Sequence, residues 1–261
     1  MDRKIALIRE YYQGLPKDRA KVETRRHGFA FLEGLLAGGA TLEYGELTLT
    51  GLLHKYKLSH LSETMMSQLL RWHLSGECNV CLYFDDRANN LLCFNLDNNH
   101  KVNNTVVIPE MALAVEVLRD LLEDHGCRPL VLASGRGYHV WCRLDATVEN
   151  GLIYTFMLRL AAKTVARLHA AGRDPSRIKF NLYPDRRIRD TVSLRLFGSL
   201  HAKNRLFSRV LTPAGLVDEE ASWALFEEHL CRGTTGAGSF RAACTLLDGQ
   251  FQGPGTARSF S

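Results

Sequence analysis

Apolar residues recur at helical spacing through much of the first 75 positions of the chain. The segments IALIREYY, GFAFLEGLLAG and LSETMMSQLLRWHL place apolar side chains three or four residues apart. This is the spacing that forms one buried face of an α-helix. The pattern predicts a helix-rich N-terminal subdomain over residues 1–75.

The period of the pattern then changes. NVCLYF (79–84) and LLCFNL (91–96) flank the polar stretch DDRANN, which is typical of two strands joined in a hairpin. Helices and short strands alternate after this point, so the pattern predicts an α/β (α+β) core over 76–232. Its further predicted elements are a helix over 108–126, a hairpin over 131–144, a helix over 149–171, strands near 178–183, 192–197 and 206–211, and a helix over 219–231.

Residues 233–261 have a different composition. They are rich in Gly, Ser and Thr, and such segments bury little apolar surface. We therefore expect a flexible tail in which only AACTLL packs.

Composition limits the class of protein. The chain has 261 residues, of which 46% are hydrophobic and 23% charged, as is typical of a soluble globular protein. It has no apolar run that could span a bilayer, and MDRKIALIREYY is a charged amphipathic start rather than a signal peptide. Seven scattered cysteines suit a reducing compartment. The expectation is a cytoplasmic or nucleoid-associated protein with no membrane partner.

The formal charge of +5 is concentrated in one segment. Between Arg173 and Arg209 there are ten Lys or Arg residues and three Asp residues. Several of the basic residues interrupt strand-like runs, where a buried sheet would carry apolar side chains. This pattern indicates a polyanionic partner, either nucleic acid, a nucleoside triphosphate, or both.

CFNLDNNH (93–100) is the first stretch with candidate chemistry. Asn95 and Asp97 alternate at a strand end, so their side chains emerge on one face. Oxygen-bearing side chains in this arrangement suit a hard divalent cation such as Mg²⁺. A polar turn that closes a hairpin is the alternative interpretation.

A second candidate stretch is VLASGRGYHVW (131–141). Two glycines flank Arg136, and Ser134 and His139 lie on either side of them. A hydroxyl, a guanidinium and an imidazole that converge would bind phosphate. An ordinary hairpin turn is the alternative.

The third stretch, DRRIRDTVSLRLFGSLHAKNRL (185–206), combines Asp185 with Arg195, Ser199, His201 and Lys203. A carboxylate followed by cationic side chains would hold a metal ion at one end of a triphosphate and neutralise its charge at the other.

In order and spacing, the three stretches together resemble the archaeo-eukaryotic primase superfamily, which includes primase-polymerases. The matching elements are N-L-D, S-G-R-G-Y-H, and Asp185 followed by R-L-F-G-S-L-H-A-K, over about residues 75–210. The resemblance implies a catalytic core with an RRM-like sheet and template-dependent nucleotidyl transfer from NTPs or dNTPs on a DNA template and primer. It implies Mg²⁺ or Mn²⁺ at the catalytic positions Asn95, Asp97 and Asp185, and nucleotide contacts from Ser134, Arg136, His139, Arg195, Ser199, His201 and Lys203.

Asn95 departs from the family pattern, which has a carboxylate at this position. An amide offers Mg²⁺ a carbonyl oxygen but no charge. An engineered substitution, a natural variant with fewer acidic ligands, and an inactive relative that only binds nucleotide or nucleic acid all remain open. Asp190 competes with Asp185 for the third position, and Asp85 or Asp86 compete more weakly for the first.

Two further features affect possible cofactors and partners. His73, Cys78 and Cys81, together with Cys93 or His100, include one C-x-x-C, which is a weak pattern for structural zinc. The chain has no P-loop sequence GxxxxGK[ST], so any duplex unwinding would need a separate helicase.

Overall fold

The computed structural model describes residues 1–25, 29–47, 53–99, 108–185, 193–201 and 205–251. Its helices are α1 (Asp2–Tyr11), α2 (Phe29–Ala37), α3 (Glu63–Leu74), α4 (Pro109–Asp124), α5 (Asn150–Ala170), α6 (Glu219–Arg232) and α7 (Ala237–Phe251), with a short 3-10 helix at Pro175–Arg177. None of the helices in these ranges is long and apolar enough to cross a membrane.

Local sequence signals mark several helix starts. The Ser62 hydroxyl accepts a hydrogen bond from the Met65 N–H before α3, and the Asp218 carboxylate accepts one from the Ala221 N–H before α6. Both side chains satisfy a backbone donor that the first helical turn leaves unpaired. α4 begins at Pro109, where the missing N–H of proline costs nothing.

The described strands are β1 (Ala20–Thr24), β2 (Thr41–Leu47), β3 (His54–Ser59), β4 (Cys78–Tyr83), β5 (Ala88–Asn98), β6 (Leu130–Ala133), β7 (Tyr138–Glu149), β8 (Ile178–Tyr183), β9 (Ser193–Arg195), β10 (Arg209–Thr212), β11 (Gly215–Leu216) and β12 (Thr234–Thr235). They form two mainly antiparallel sheets. The smaller sheet has the order β2-β3-β1-β4-β9, and the larger one has the order β11-β10-β6-β7-β5-β8, with β12 pairing in parallel with β7. The α+β class predicted from the sequence is therefore confirmed.

The N-terminal 75 residues differ from the expected helical subdomain because they contain β1, β2 and β3. β1 pairs with β4, and β4 pairs with β9 from a distant part of the chain. The smaller sheet therefore joins the N-terminal segment to the segment predicted as a separate core. The predicted hairpin between 79–84 and 91–96 is also wrong, since β4 and β5 belong to different sheets.

The segment expected to be a flexible tail contains α7, which packs on the larger sheet. Its apolar side chains recur at the i, i+3, i+4 and i+7 positions of one helix face. They contribute to the hydrophobic core beside β7 and α5. The buried members of this face are Phe240, Ala243, Cys244 and Leu247.

The two faces of the larger sheet have different environments. Phe94, Val140 and Leu182 are buried in a core formed with α4, α5 and α7. On the other face, Trp141 packs edge-on against Tyr12, the residue directly after α1, with ring centroids 5.4 Å apart. This second face contains the candidate site, at the side where the smaller sheet approaches through β9.

Candidate functional site between the two sheets

The register of the larger sheet aligns three polar residues across three strands. Asn95 on β5 is directly opposite His139 on β7 and Asn181 on β8. Directly paired residues of antiparallel strands project from the same face of a sheet. Asp97 lies two residues along β5 on that face, opposite Lys179. The predicted proximity of Asn95, Asp97 and His139 follows from this register.

The Ser134–Gly137 turn joins β6 and β7, and its glycines have distinct structural reasons. The Ser134 N–H donates to the Gly137 carbonyl at 2.8 Å, and Gly135 has a φ of +91°, which glycine adopts at little cost. At Gly137, a Cβ atom would lie 1.9 Å from the Leu96 carbonyl oxygen. The glycines thus allow a tight hairpin against β5, with Arg136 at its tip.

Arg195 extends from β9 of the smaller sheet to the same turn. Its Nη2 donates to the Ser134 carbonyl and, at 3.2 Å, to Ser208 Oγ. Arg195 is only 9% exposed, and burial lowers its pKa. Its buried Nη1 has no hydrogen-bond partner within the described part of the chain, and the same holds for Arg136 Nε.

His139 lies within the field of these groups. Burial, followed by the positive charges of Arg195 and His201, lowers the pKa of His139 to about 3. The ring is therefore neutral at pH 7, and its N–H can donate one hydrogen bond. Arg136, His139, Arg195 and His201 form the donor cluster, a group of nitrogen-rich side chains whose electrostatic effects on one another place them close together.

Ser199 and Lys203 differ from the other residues expected to contact nucleotide. Ser199 is buried, and its Oγ accepts a hydrogen bond from Asn79 Nδ2 at 2.9 Å. The same amide donates to the Leu200 carbonyl at 2.7 Å, so Ser199 and Asn79 hold the chain between β9 and His201. Lys203 lies outside the described residues.

Beside the donor cluster, Asn95, Asp97 and Asn181 form a group that we call the acceptor shelf. Asn95 Nδ2 donates to Asp97 Oδ2 at 3.4 Å. In this orientation the amide NH₂ group faces the carboxylate. Asn95 also contacts Tyr183: burial raises the pKa of Tyr183 to about 12, and a hydrogen bond with Asn95 opposes this rise. Asn95 Oδ1 is buried and has no hydrogen-bond partner among the residues the structure describes.

The register does not place Asp185 beside Asn95 and Asp97 on the acceptor shelf. The last residue of β8, Tyr183, pairs with Cys93, and Asp185 follows two residues later, beyond the end of β8 that is remote from Asp97. Cys93 and Asp97 are about 14 Å apart along β5, at about 3.4 Å per residue. The register brings Asn181, which is not among the residues predicted from the sequence, beside Asn95. Its signal was a polar residue inside the apolar run IKFNLY.

The possible metal ligands on the acceptor shelf do not fit the two-ion Mg²⁺ or Mn²⁺ site that the primase resemblance implies. The acceptor shelf has one carboxylate and two neutral amides, and Lys179 lies opposite that carboxylate. Carboxylates normally supply the negative charge that holds two divalent ions. In the described ranges, no three His, Cys, Asp or Glu residues form a group that could hold a metal ion.

The residues considered for zinc have structural roles. His73 Nδ1 accepts the Val80 N–H at 3.0 Å, and its Nε2 lies 3.0 Å from the Phe197 carbonyl, to which it donates. Burial lowers the pKa of His73 to about 4, which keeps the ring neutral. Burial also raises the pKa of the Cys81 thiol to about 12 and that of Cys78 further. His100 lies outside the described residues.

The described basic residues of the segment have different surroundings. Arg177 pairs with Glu110 of α4 at 2.8 Å, whereas Arg195 is buried beside the Ser134–Gly137 turn. Arg205 Nη1 donates to the Gly76 carbonyl at 2.8 Å. Residues 186–192, which contain Asp190 and three of the counted arginines, lie outside the described residues.

The chain was compared with protein families, curated proteins and solved structures. No protein-family model matches the chain, and no curated protein matches it. Among solved structures, the polymerase domain of Mycobacterium tuberculosis Ligase D in complex with DNA is similar, with a TM-score of 0.48 and 16% identity over 93% of this chain and 85% of that chain. Similarity at this level assigns neither a family nor an activity to the chain.

Proposed function

We propose that the chain binds nucleotides or nucleic-acid ends by their phosphate groups, at the donor cluster between the two sheets. The observation that carries this proposal is the convergence of arginine and histidine side chains on the Ser134–Gly137 turn, where two buried arginine N–H groups have no hydrogen-bond partner among the described residues. Arg195 Nη1 and Arg136 Nε are both buried with unused N–H groups there.

Phosphate is the anion that this chemistry favours. A guanidinium donates hydrogen bonds in a fixed planar arrangement that matches phosphate oxygens, and such charge-assisted bonds are stronger than neutral ones. The protein positions these donors before any ligand binds, because Arg195 is held by Ser134 and Ser208. A bound phosphate would accept the hydrogen bonds that Arg195 Nη1 and Arg136 Nε leave unused.

The acceptor shelf favours binding over catalysis. Nucleotidyl transfer by two metal ions needs carboxylates that hold both ions, and Asn95 and Asn181 supply none. We therefore propose, as the first candidate function, a catalytically impaired protein on a primase-like scaffold that binds nucleotides and nucleic acid.

Titration with ATP and with tripolyphosphate in excess EDTA tests this proposal. We expect the wild-type protein to bind both, and Arg136→Gln to weaken both affinities roughly tenfold to hundredfold, which is the range for a hydrogen bond to a charged group. Arg241→Gln is the matched control, because Arg241 is exposed on α7, on the far side of the larger sheet. No binding by the wild type, or equal losses in both variants, would overturn the proposal.

Template-dependent primer synthesis or extension from NTPs or dNTPs is the second candidate function. It is favoured by the unpaired Asn95 Oδ1 beside Asp97, next to the donor cluster. A DNA template, a primer and a separate helicase would then be the partners. An extension assay with template, primer and Mn²⁺ distinguishes the two functions. If the protein only binds nucleotides and nucleic acid, the wild-type chain will not extend the primer.

A further inference from the structure

Hydrogen-bond donors and acceptors are segregated across the candidate site. On the β7 side, the donor cluster offers N–H groups. On the β5 side, Asn95 Oδ1 and the Asp97 carboxylate offer acceptors, and Asn95 Oδ1 has no donor among the described residues. A buried acceptor left without a donor is costly, so a ligand that fills the site gains affinity by donating a hydrogen bond here.

The chemistry of the acceptor shelf excludes some parts of a nucleotide. Ionised phosphate oxygens only accept hydrogen bonds and would be repelled by Asp97. A divalent ion would meet a single carboxylate, with Lys179 directly opposite it on β8. Hydroxyl groups fit, because each can donate to an amide or carboxylate oxygen. An acidic side chain that binds ribose hydroxyls is a known arrangement in dinucleotide sites.

The spacing of the strands also suits a sugar next to a phosphate. His139, Asn95 and Asn181 lie on three adjacent strands, which are separated by about 4.8 Å each. A phosphate at His139 therefore has Asn95 one strand away, and Asn181 a second strand away. A ligand with a phosphate and adjacent hydroxyls would match this order of donors and acceptors.

We propose that the acceptor shelf binds the ribose hydroxyls of a ribonucleotide whose phosphates lie on the donor cluster, without a divalent cation. This rests on the proposed function, since the sugar is placed by the phosphate. The site then distinguishes ribonucleotides from deoxyribonucleotides through the hydroxyl that deoxyribose lacks.

Paired titrations in excess EDTA test this proposal, with ATP and dATP, UTP and dUTP, and tripolyphosphate as probes. We expect each ribonucleotide to bind about fivefold to tenfold more tightly than its deoxy form, the effect of about one hydrogen bond. The same ratio for both bases would assign the preference to the sugar. Asn95→Ala should abolish the ratio and leave tripolyphosphate affinity unchanged.

Two further variants keep the test independent of folding defects. Asn181→Ala changes a half-buried residue and should reduce the ratio. Asn99→Ala changes an exposed amide just beyond β5 and should leave it unchanged. Equal affinities for ATP and dATP, or a ratio that survives Asn95→Ala, would overturn the sugar assignment even while tripolyphosphate binds normally. If the wild-type protein does not bind tripolyphosphate, the phosphate site itself would be overturned.

Discussion

The buried imidazole of His139 should make the stability of the protein depend on pH in a way that one substitution removes. Its pKa is lowered from 6.5 to about 3 by burial and by the charges of Arg195 and His201. Below pH 6.5 the unfolded chain therefore binds a proton that the folded chain refuses. The stabilising effect is fully present above pH 6.5 and is lost as the pH falls toward 3.

The magnitude follows from the lowered pKa. At about 1.4 kcal/mol per pH unit, the full loss between pH 6.5 and pH 3 is about 5 kcal/mol, and the loss at pH 5 is about 2 kcal/mol. His139→Gln keeps a polar side chain but cannot take up the proton. When the pH is lowered from about 7.5 to about 5, the free energy of unfolding should therefore fall by about 2 kcal/mol less in the variant than in the wild type.

Urea unfolding at the two pH values measures this difference, with circular dichroism as the signal. His73 and His229, whose pKa values burial also lowers, are present in both proteins and cancel in the comparison. Saturating tripolyphosphate should reduce this difference in pH dependence between wild type and variant, because a bound anion favours the protonated His139 ring. An identical pH dependence in wild type and variant would refute the buried, neutral state of His139.

Three further predictions concern the turn, the last helix and the acceptor shelf. Gly137→Ala would place a Cβ atom 1.9 Å from the Leu96 carbonyl oxygen, so we expect a loss of at least about 2 kcal/mol in urea unfolding, as for severe overpacking; an unchanged midpoint would contradict the close approach. Leu247→Ala should cost about 2 to 5 kcal/mol, because this side chain is fully buried under α7, and a neutral effect would mean that α7 does not pack. The double variant Asn95→Asp with Asn181→Asp should bind Mn²⁺, measured by electron paramagnetic resonance, where the wild type does not, because it adds two carboxylates to the one already present; equal Mn²⁺ binding by both proteins would remove these positions from the shelf.

Local patterns in the sequence predicted many elements, but not their partners. The strand at 178–183 and the hairpin around the Ser134–Gly137 turn are confirmed, because alternation and glycines are local signals. The pairing of β4 with β1 and β9 was not predictable from alternation, since an apolar strand does not reveal which sheet accepts it. The expected hairpin with β5 failed for this reason.

For α7 and for the site as well, the local pattern was readable from the sequence but the spatial neighbours were not. The composition of the last segment suggested a flexible tail, although Phe240 and Leu247 already lay at the spacing of one helix face. At the site, the sequence identified His139, Arg195 and Asn95 as candidates. It did not identify Asn181, because the register of β8 against β5, and not the spacing along the chain, places that residue beside Asn95.

Nuclear magnetic resonance of the arginine Nε–Hε groups, with tripolyphosphate added in EDTA, tests the phosphate site most directly. Arg136 Nε is buried without a partner among the described residues, and comparison with Arg136→Lys identifies its signal. We expect this signal to shift in a saturable manner as tripolyphosphate is added, while the Arg241 signal stays in place. A stationary Arg136 signal at concentrations where tripolyphosphate binds the protein would contradict the placement of phosphate at the donor cluster.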